Sequence, residues 1–195
     1  MKKVLLAVLC AASVTFAYAQ KIKGSVDFLK GQNNVNIVFV FEATTFDGES
    51  QESYLKEKTK RADSEAEAEK EVSEWKAKWE GEGRNTFKQI FIRYCSYELE
   101  NFSFKLGEYP DAAYTIVVTV EDVDPGNFAG PFSHPAKLKA FFDFVKTGET
   151  NALAMLKLED IYNPEILSSD EFARMKGGFG ELGKELGTKL KKALK

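Results

Sequence analysis

The cleanest alternation of apolar and polar positions in the chain runs from Ala136 to Phe144. Ala136, Leu138, Ala140, Phe142 and Phe144 fall on one side. Lys137, Lys139 and Asp143 fall on the other, with Phe141 as the one apolar exception. A period of two marks a strand with one buried face. The turn residues Thr147-Gly148-Glu149-Thr150-Asn151 follow. The next apolar run, Ala152 to Ile161, is therefore expected to pair antiparallel as a hairpin. Val35 to Phe41 reads Val-Asn-Ile-Val-Phe-Val-Phe, a nearly continuous β-branched and aromatic run, expected as a strand buried on both faces or nearly so. Phe102, Phe104 and Leu106 alternate, and Tyr114 to Val120 is a further strand ended by the turn Asp124-Pro125-Gly126.

Between Glu49 and Glu80 the pattern changes to one rich in Glu, Lys and Ala, all strong helix formers. Ser50 can cap a helix carrying Tyr54 and Leu55. Ser64 with Glu67 three residues on is a capping box. The helix it opens sets Ala68, Val72, Trp75 and Trp79 on a narrow stripe, which Gly81 and Gly83 are expected to stop. A third helix spans about 85–98, with Phe87, Ile90, Phe91, Tyr94 and Cys95 on one face. Ser168, Ser169 and Asp170 offer caps for a last helix, whose stripe is Phe172, Met175, Phe179, Leu182, Leu186, Leu190 and Leu194. Gly180, Gly183 and Gly187 share a side of that helix and predict close packing on the sheet, since each costs helix propensity about 1 kcal/mol. Strands, helices, strands and a helix in that order predict an α/β (α+β) fold. It is expected to have a mixed, largely antiparallel sheet flanked by helices and a C-terminal amphipathic helix.

The N-terminus adds a separate signal. Lys2 and Lys3, the apolar run from Val4, and Ala17-Tyr18-Ala19 before Gln20 have the form of a secretory signal peptide at 1–19. The run is too short to span a bilayer, which needs roughly 20 apolar residues. Cys10 follows the bulky Leu9, where a lipoprotein signal carries a small residue. Residues 20–195 are thus expected to be one exported domain without a transmembrane segment. The chain carries 27 Lys and Arg against 30 Asp and Glu; without Lys2 and Lys3 the remainder has a net charge of −5. Mild acidity argues against a dedicated nucleic-acid binder. Beyond the signal only Cys95 remains, so no internal disulfide can form and the core must hold the fold. Cys95 lies in an apolar helical run and reads as a buried small hydrophobe.

No catalytic or cofactor motif emerges. His134 is the only histidine, in the loop Pro131-Phe132-Ser133-His134-Pro135, and no Gly-x-Ser-x-Gly elbow accompanies it. Glu121, Asp122 and Asp124 form one acidic cluster, Glu159 and Asp160 another. Neither has the spacing of a calcium loop. A hydrolase using Asp122, Asp124 and His134 is the enzymatic competitor. Trp75 and Trp79 could stack a sugar, but at four-residue spacing in line with Val72 they read as core. Lys176-Gly177-Gly178-Phe179-Gly180, expected at the start of the last helix, could cradle phosphate, though it lacks the Gly-Lys-Ser/Thr ending. Lys189, Lys191, Lys192 and Lys195 suit a helix C-terminus. They could also touch anionic lipid as a peripheral membrane contact.

Tyr114-Thr115-Ile116-Val117-Val118-Thr119-Val120 through Asp124-Pro125-Gly126, with Phe142-Asp143-Phe144-Val145-Lys146-Thr147 and Gly183-Lys184-Glu185-Leu186-Gly187, resembles uncharacterised exported proteins of gut and oral Bacteroidetes. These residues cover about half the chain, and the motifs are structural. More distantly, the layout is similar to periplasmic α/β domains of the curli-assembly factor and penicillin-binding-protein activator type. The resemblance implies a mixed sheet flanked by helices and a protein-interaction role, and it carries over no functional residue. The expectation is an exported, non-catalytic envelope protein, periplasmic or extracellular, that binds another envelope protein and uses no cofactor. Its candidate surfaces are the loop Asn127 to Pro135, with Asn127, Phe128, Phe132 and His134, and the exposed face of the helices between Glu49 and Glu80. The competing expectation is a small-ligand or lipid binder with an apolar cavity between sheet and helices, lined by Leu138, Phe142 and Phe144.

Overall fold

The computed structural model describes residues 20–195; the export signal read at 1–19, with Cys10, lies outside the described residues. Seven strands form one mixed sheet: β1 (Lys23–Gly24), β2 (Asn34–Val40), β3 (Thr45–Phe46), β4 (Lys105–Gly107), β5 (Tyr114–Asp124), β6 (Lys137–Lys146) and β7 (Ala152–Tyr162). Their order is β1-β7-β6-β5-β2-β4, with β3 beside the end of β5. The expected hairpin is there, with β6 antiparallel to both β5 and β7. Its partner β5 runs parallel to β2, which also pairs parallel with β4. Parallel pairing requires a long crossover. The helices α1 (Gln51–Lys58), α2 (Glu65–Lys78) and α3 (Arg84–Glu98) supply it, and α4 (Glu171–Ala193) closes the chain. The architecture is α+β, as the order of patterns predicts.

The register explains which side chains are buried. Phe39, Val118, Phe142 and Leu156 form one row across four strands; Ile37, Ile116, Phe144 and Ala154 form another. Both rows face the helices, and Phe39 meets Phe91 of α3 edge-on at 5.1 Å between ring centres. The alternate rows, Val38-Val117-Asp143-Met155 and Val40-Thr119-Phe141-Lys157, point the other way. Among the described residues no helix covers them: Val38 is 43% and Met155 49% exposed. This corrects the expectation that the run 35–41 is buried on both faces or nearly so. Its apolar residues line a one-sided sheet, and the Lys157 ammonium lies 4.9 Å from the Phe141 ring centre on the open side.

The helices start as their caps predict. Ser50 Oγ accepts from Ser53 N and Ser64 Oγ from Glu67 N. The Glu67 carboxylate reaches back to Asp63 N, one residue before the position of a standard capping box. Gly81 and Gly83 do not stop α2. The chain winds on through a π-turn, Trp79–Gly83, straight into α3, and Arg84 N donates to Trp79 O five residues back. At Gly83 a Cβ would lie 2.7 Å from Lys78 O, so the wide turn needs glycine there. The α1–α2 segment docks on the core: Leu55, Trp75 and Trp79 are buried, and the two indoles stack at 5.7 Å.

α4 buries the whole predicted stripe from Phe172 to Leu194. Gly180, Gly183 and Gly187, however, face α3 rather than the sheet. A Cβ on Gly183 would lie 2.2 Å from Phe91 O, and one on Gly187 2.9 Å from Cys95 O. Two helix backbones thus touch where a side chain would hold them apart. Gly177, Gly178 and Gly180 lie inside α4 rather than at its start, so their N–H groups belong to the helix and no phosphate cradle forms.

Candidate interaction surface

The loop 127–135 grows from the end of β5. Asp124 Oδ1 accepts from Gly126 N at 2.8 Å, which turns the chain. Gly126 has φ +68°, and a Cβ there would sit 2.5 Å from His134 O, so only glycine fits. Asn127 and His134 then exchange backbone hydrogen bonds at 3.1 and 3.2 Å and close the loop. Inside it, Ser133 Oγ accepts from Ala129 N and donates to Gly130 O, both at 2.8 Å. These bonds satisfy the backbone without drawing the apolar side chains inward. Phe132 is 80% exposed and Phe128 56%. Such a loop loses little freedom when it meets a partner.

The root of this loop is fixed by a residue the sequence pattern does not flag. Arg174, on the first turns of α4, is buried. Its Nε donates to Pro125 O and its Nη2 to Gly126 O, both at 2.9 Å, while Nη1 donates to Ser168 O. One guanidinium therefore ties the loop root and the 163–170 connection to the same helix. Three donors in a rigid fork suit arginine and not lysine. In sequence Arg174 is simply a charged residue next to Met175 of an apolar stripe.

Beside Ser168 opens a groove of about 440 Å³ between α3, α4 and residues 163–168. Ala173, Gly177 and Gly180 make its floor. Ile90 and Tyr94 form one wall, Ile166 and Leu167 the other. Ile166 lies directly on Gly177, where a Cβ would come within 2.8 Å of its Cγ1. Leu167 is 48% exposed at the rim. The sequence offers no sign of the groove, because small residues carry no pattern and its walls are more than 70 positions apart.

The other candidate residues have structural tasks. Asp122 Oδ1 accepts from the Thr45 hydroxyl and from Gly48 N, anchoring the exit of β2 against β5. Asp47 stands nearby with φ +54°; burial, then the charges of Asp124 and Asp122, push its carboxyl above its ordinary range. His134 Nδ1 lies 3.9 Å from Asp124 Oδ2 and 3.2 Å from Pro135 O. The Asp122, Asp124 and His134 set is thus brought to one end of the sheet, with Asp122 and Asp124 already serving as turn acceptors. Glu159 lies across the open face, paired with Lys157 and Lys139. Leu138, Phe142 and Phe144, named for a cavity between sheet and helices, are fully buried, and Phe142 packs on Phe91. Burial pushes the Cys95 thiol far above its ordinary range. At the lysine-rich end of α4, Lys191 reaches Glu98 at 3.3 Å.

No family model matches the chain, and no curated protein does. Among solved structures the chain is similar to a PelC dodecamer from Paraburkholderia phytofirmans, at 8% identity and a TM-score of 0.39. That match covers 89% of this chain and 94% of that one. A point variant of the same dodecamer gives 8% identity and a TM-score of 0.34, covering 83% of this chain and 94% of that one. Both scores are too low to transfer anything beyond that likeness. Among the described residues no helix is long and apolar enough to cross a membrane.

Proposed function

We propose that this is an exported bacterial envelope protein that works by binding another protein of the envelope, as an interaction or assembly module without chemistry of its own. One observation carries the reading: Phe128 and Phe132 stand in solvent on a closed, hydrogen-bonded loop whose root is pinned by Arg174. Solvent-facing aromatics on a preorganised loop are what anchor residues of interfaces look like. The test is a cross-linked pull-down of residues 20–195 from the cell-envelope fraction, read by mass spectrometry. The expected result is a reproducible protein partner that disappears when 127–135 is replaced by glycine and serine. Retention of that partner by the loop-replaced protein would remove the reading.

A ligand-binding role has one observation in its favour, the groove beside Ser168. It lies along the outer side of α3 and α4, whereas the expected cavity between sheet and helices would be lined by residues packed at 0–1% exposure. Solvent extraction of the purified protein, with mass spectrometry of what it carries, tests this second reading.

A further inference from the structure

We propose that the loop 127–135 of one molecule seats Phe128 and Phe132 in the groove between α3 and α4 of a second copy of this chain. The inference rests on the loop being an interaction surface and names its partner. Three observations carry it.

The first is size. A closed cavity of about 150 Å³ holds one benzene. The groove, at about 440 Å³, has room for the two phenyl rings that the loop presents. Ile166 covers Gly177, and the small residues Ala173 and Gly180 make the rest of the floor; even a Cβ on Gly180 would meet nothing closer than 3.7 Å.

The second is charge. Two copies that each carry −5 repel, and a contact between uncharged surfaces adds no like-charge pairing to that repulsion. Pro125 to Ala136 is twelve residues without a formal charge, the longest such stretch in 20–195. The groove mouth carries Lys176 and Glu165, one charge of each sign.

The third is position. Arg174 holds the loop root and Ser168 together, so loop and groove lie at the same end of α4. Two copies related by a twofold axis can then exchange loops reciprocally, and the contact closes as a dimer instead of growing into a filament.

The test uses residues 20–195, in which Cys95 is buried and gives no background thiol. Ala129→Cys marks the loop and Glu165→Cys the groove mouth, and both leave the two phenylalanines in place. Treated with a short bis-maleimide, a mixture of the two variants is expected to yield covalent heterodimers well above the homodimers of either alone. Light scattering of the unmodified protein at its highest soluble concentration is expected to give a dimer mass. That mass is lost in the double variant Phe128→Ser, Phe132→Ser and in the groove-filling Gly180→Leu, and kept in Val38→Ser on the open sheet face. Thermal melts establish that each variant is folded.

A monomer at all concentrations overturns the proposal, as does a dimer that survives loss of both phenylalanines. Loop-dependent capture of a different protein by a monomer would also overturn it while leaving the loop as an interaction surface. Phe132-dependent flotation of the monomer with phospholipid vesicles would overturn it in favour of a bilayer. Failure of the glycine-serine loop variant to lose its envelope partner would instead strike the broader reading.

Discussion

α2 and α4 are both amphipathic and both reach the same core, yet they are held by opposite means. α4 buries eleven residues between Phe172 and Leu190, five of them counting Arg174 and four glycines. Its closest approach to α3 is backbone on backbone. α2 buries Trp75, followed by Trp79 in the π-turn, and leaves most of its surface to water. Around these indoles Phe41, Phe46 and Phe87 supply ring contacts between 5.0 and 5.7 Å. Trp75 Nε1 donates to Glu171, whose other oxygen accepts from Tyr54 and Lys58. The difference teaches where each joint is weak. The α3–α4 joint fails when atoms are added, the α2 joint when atoms are taken away.

The largest effect is expected from Trp79→Ala, which empties the middle of the aromatic cluster. It should cost about 3–5 kcal/mol in urea unfolding. A smaller loss would mean that the arm is held elsewhere. Gly183→Ala is the opposite experiment. One added carbon meets Phe91 O at 2.2 Å, and backbone cannot step aside as a side chain can. About 3 kcal/mol is expected from such overpacking, and an unchanged urea midpoint would refute the backbone contact.

Glu171→Ala comes next. It strands the buried Trp75 N–H and should cost about 2 kcal/mol, read from the same unfolding curves. Alkaline pH probes the same network. Burial first, then the Glu171 charge, hold the Tyr54 hydroxyl above its ordinary range, so the folded protein favours the neutral phenol. That stability is fully present below the unfolded value of about 10 and is lost as pH rises beyond it. Melting temperature should therefore fall above about pH 10, and fall less steeply in Tyr54→Phe. Gly81→Ala is the smallest expected effect and the sharpest contrast with Gly183. Nothing lies within 4 Å of its Cβ position. The change should be neutral or stabilise by about 0.5 kcal/mol, measured as a rise in melting temperature.

Legibility in the sequence followed the range of the interaction. The β6 alternation and the α4 stripe repeat over many residues, and both elements lie where that repetition places them. β1 and β3 contain two residues each and exist through their partners, so no local pattern announces them; of the alternation at Phe102, Phe104 and Leu106 only Lys105–Gly107 pairs, as β4. Val38 and Val40 look like core because a β-branched run is the same whether its second face is covered or bare. The glycines of α4 were legible as a close approach but not as to what approaches. At the candidate surface, Phe128 and Phe132 could be picked out as apolar residues in a turn-rich loop. Arg174 and the groove could not, since both arise from segments that meet only after folding.

The π-turn at Trp79–Gly83 has a consequence for how length changes would act. A straight helix advances 3.6 residues per turn, so each residue inserted or removed rotates everything beyond it by about 100°. The wide turn acts as a phase correction between α2 and α3. It lets Trp75 and Trp79 face the same core as Phe87 and Phe91, although the two stretches share one continuous winding. Forcing the ordinary pitch on 79–83 with its length unchanged would swing the Trp75 indole about a quarter-turn away from Phe46, whereas removing a single residue there would restore that pitch with the phase kept.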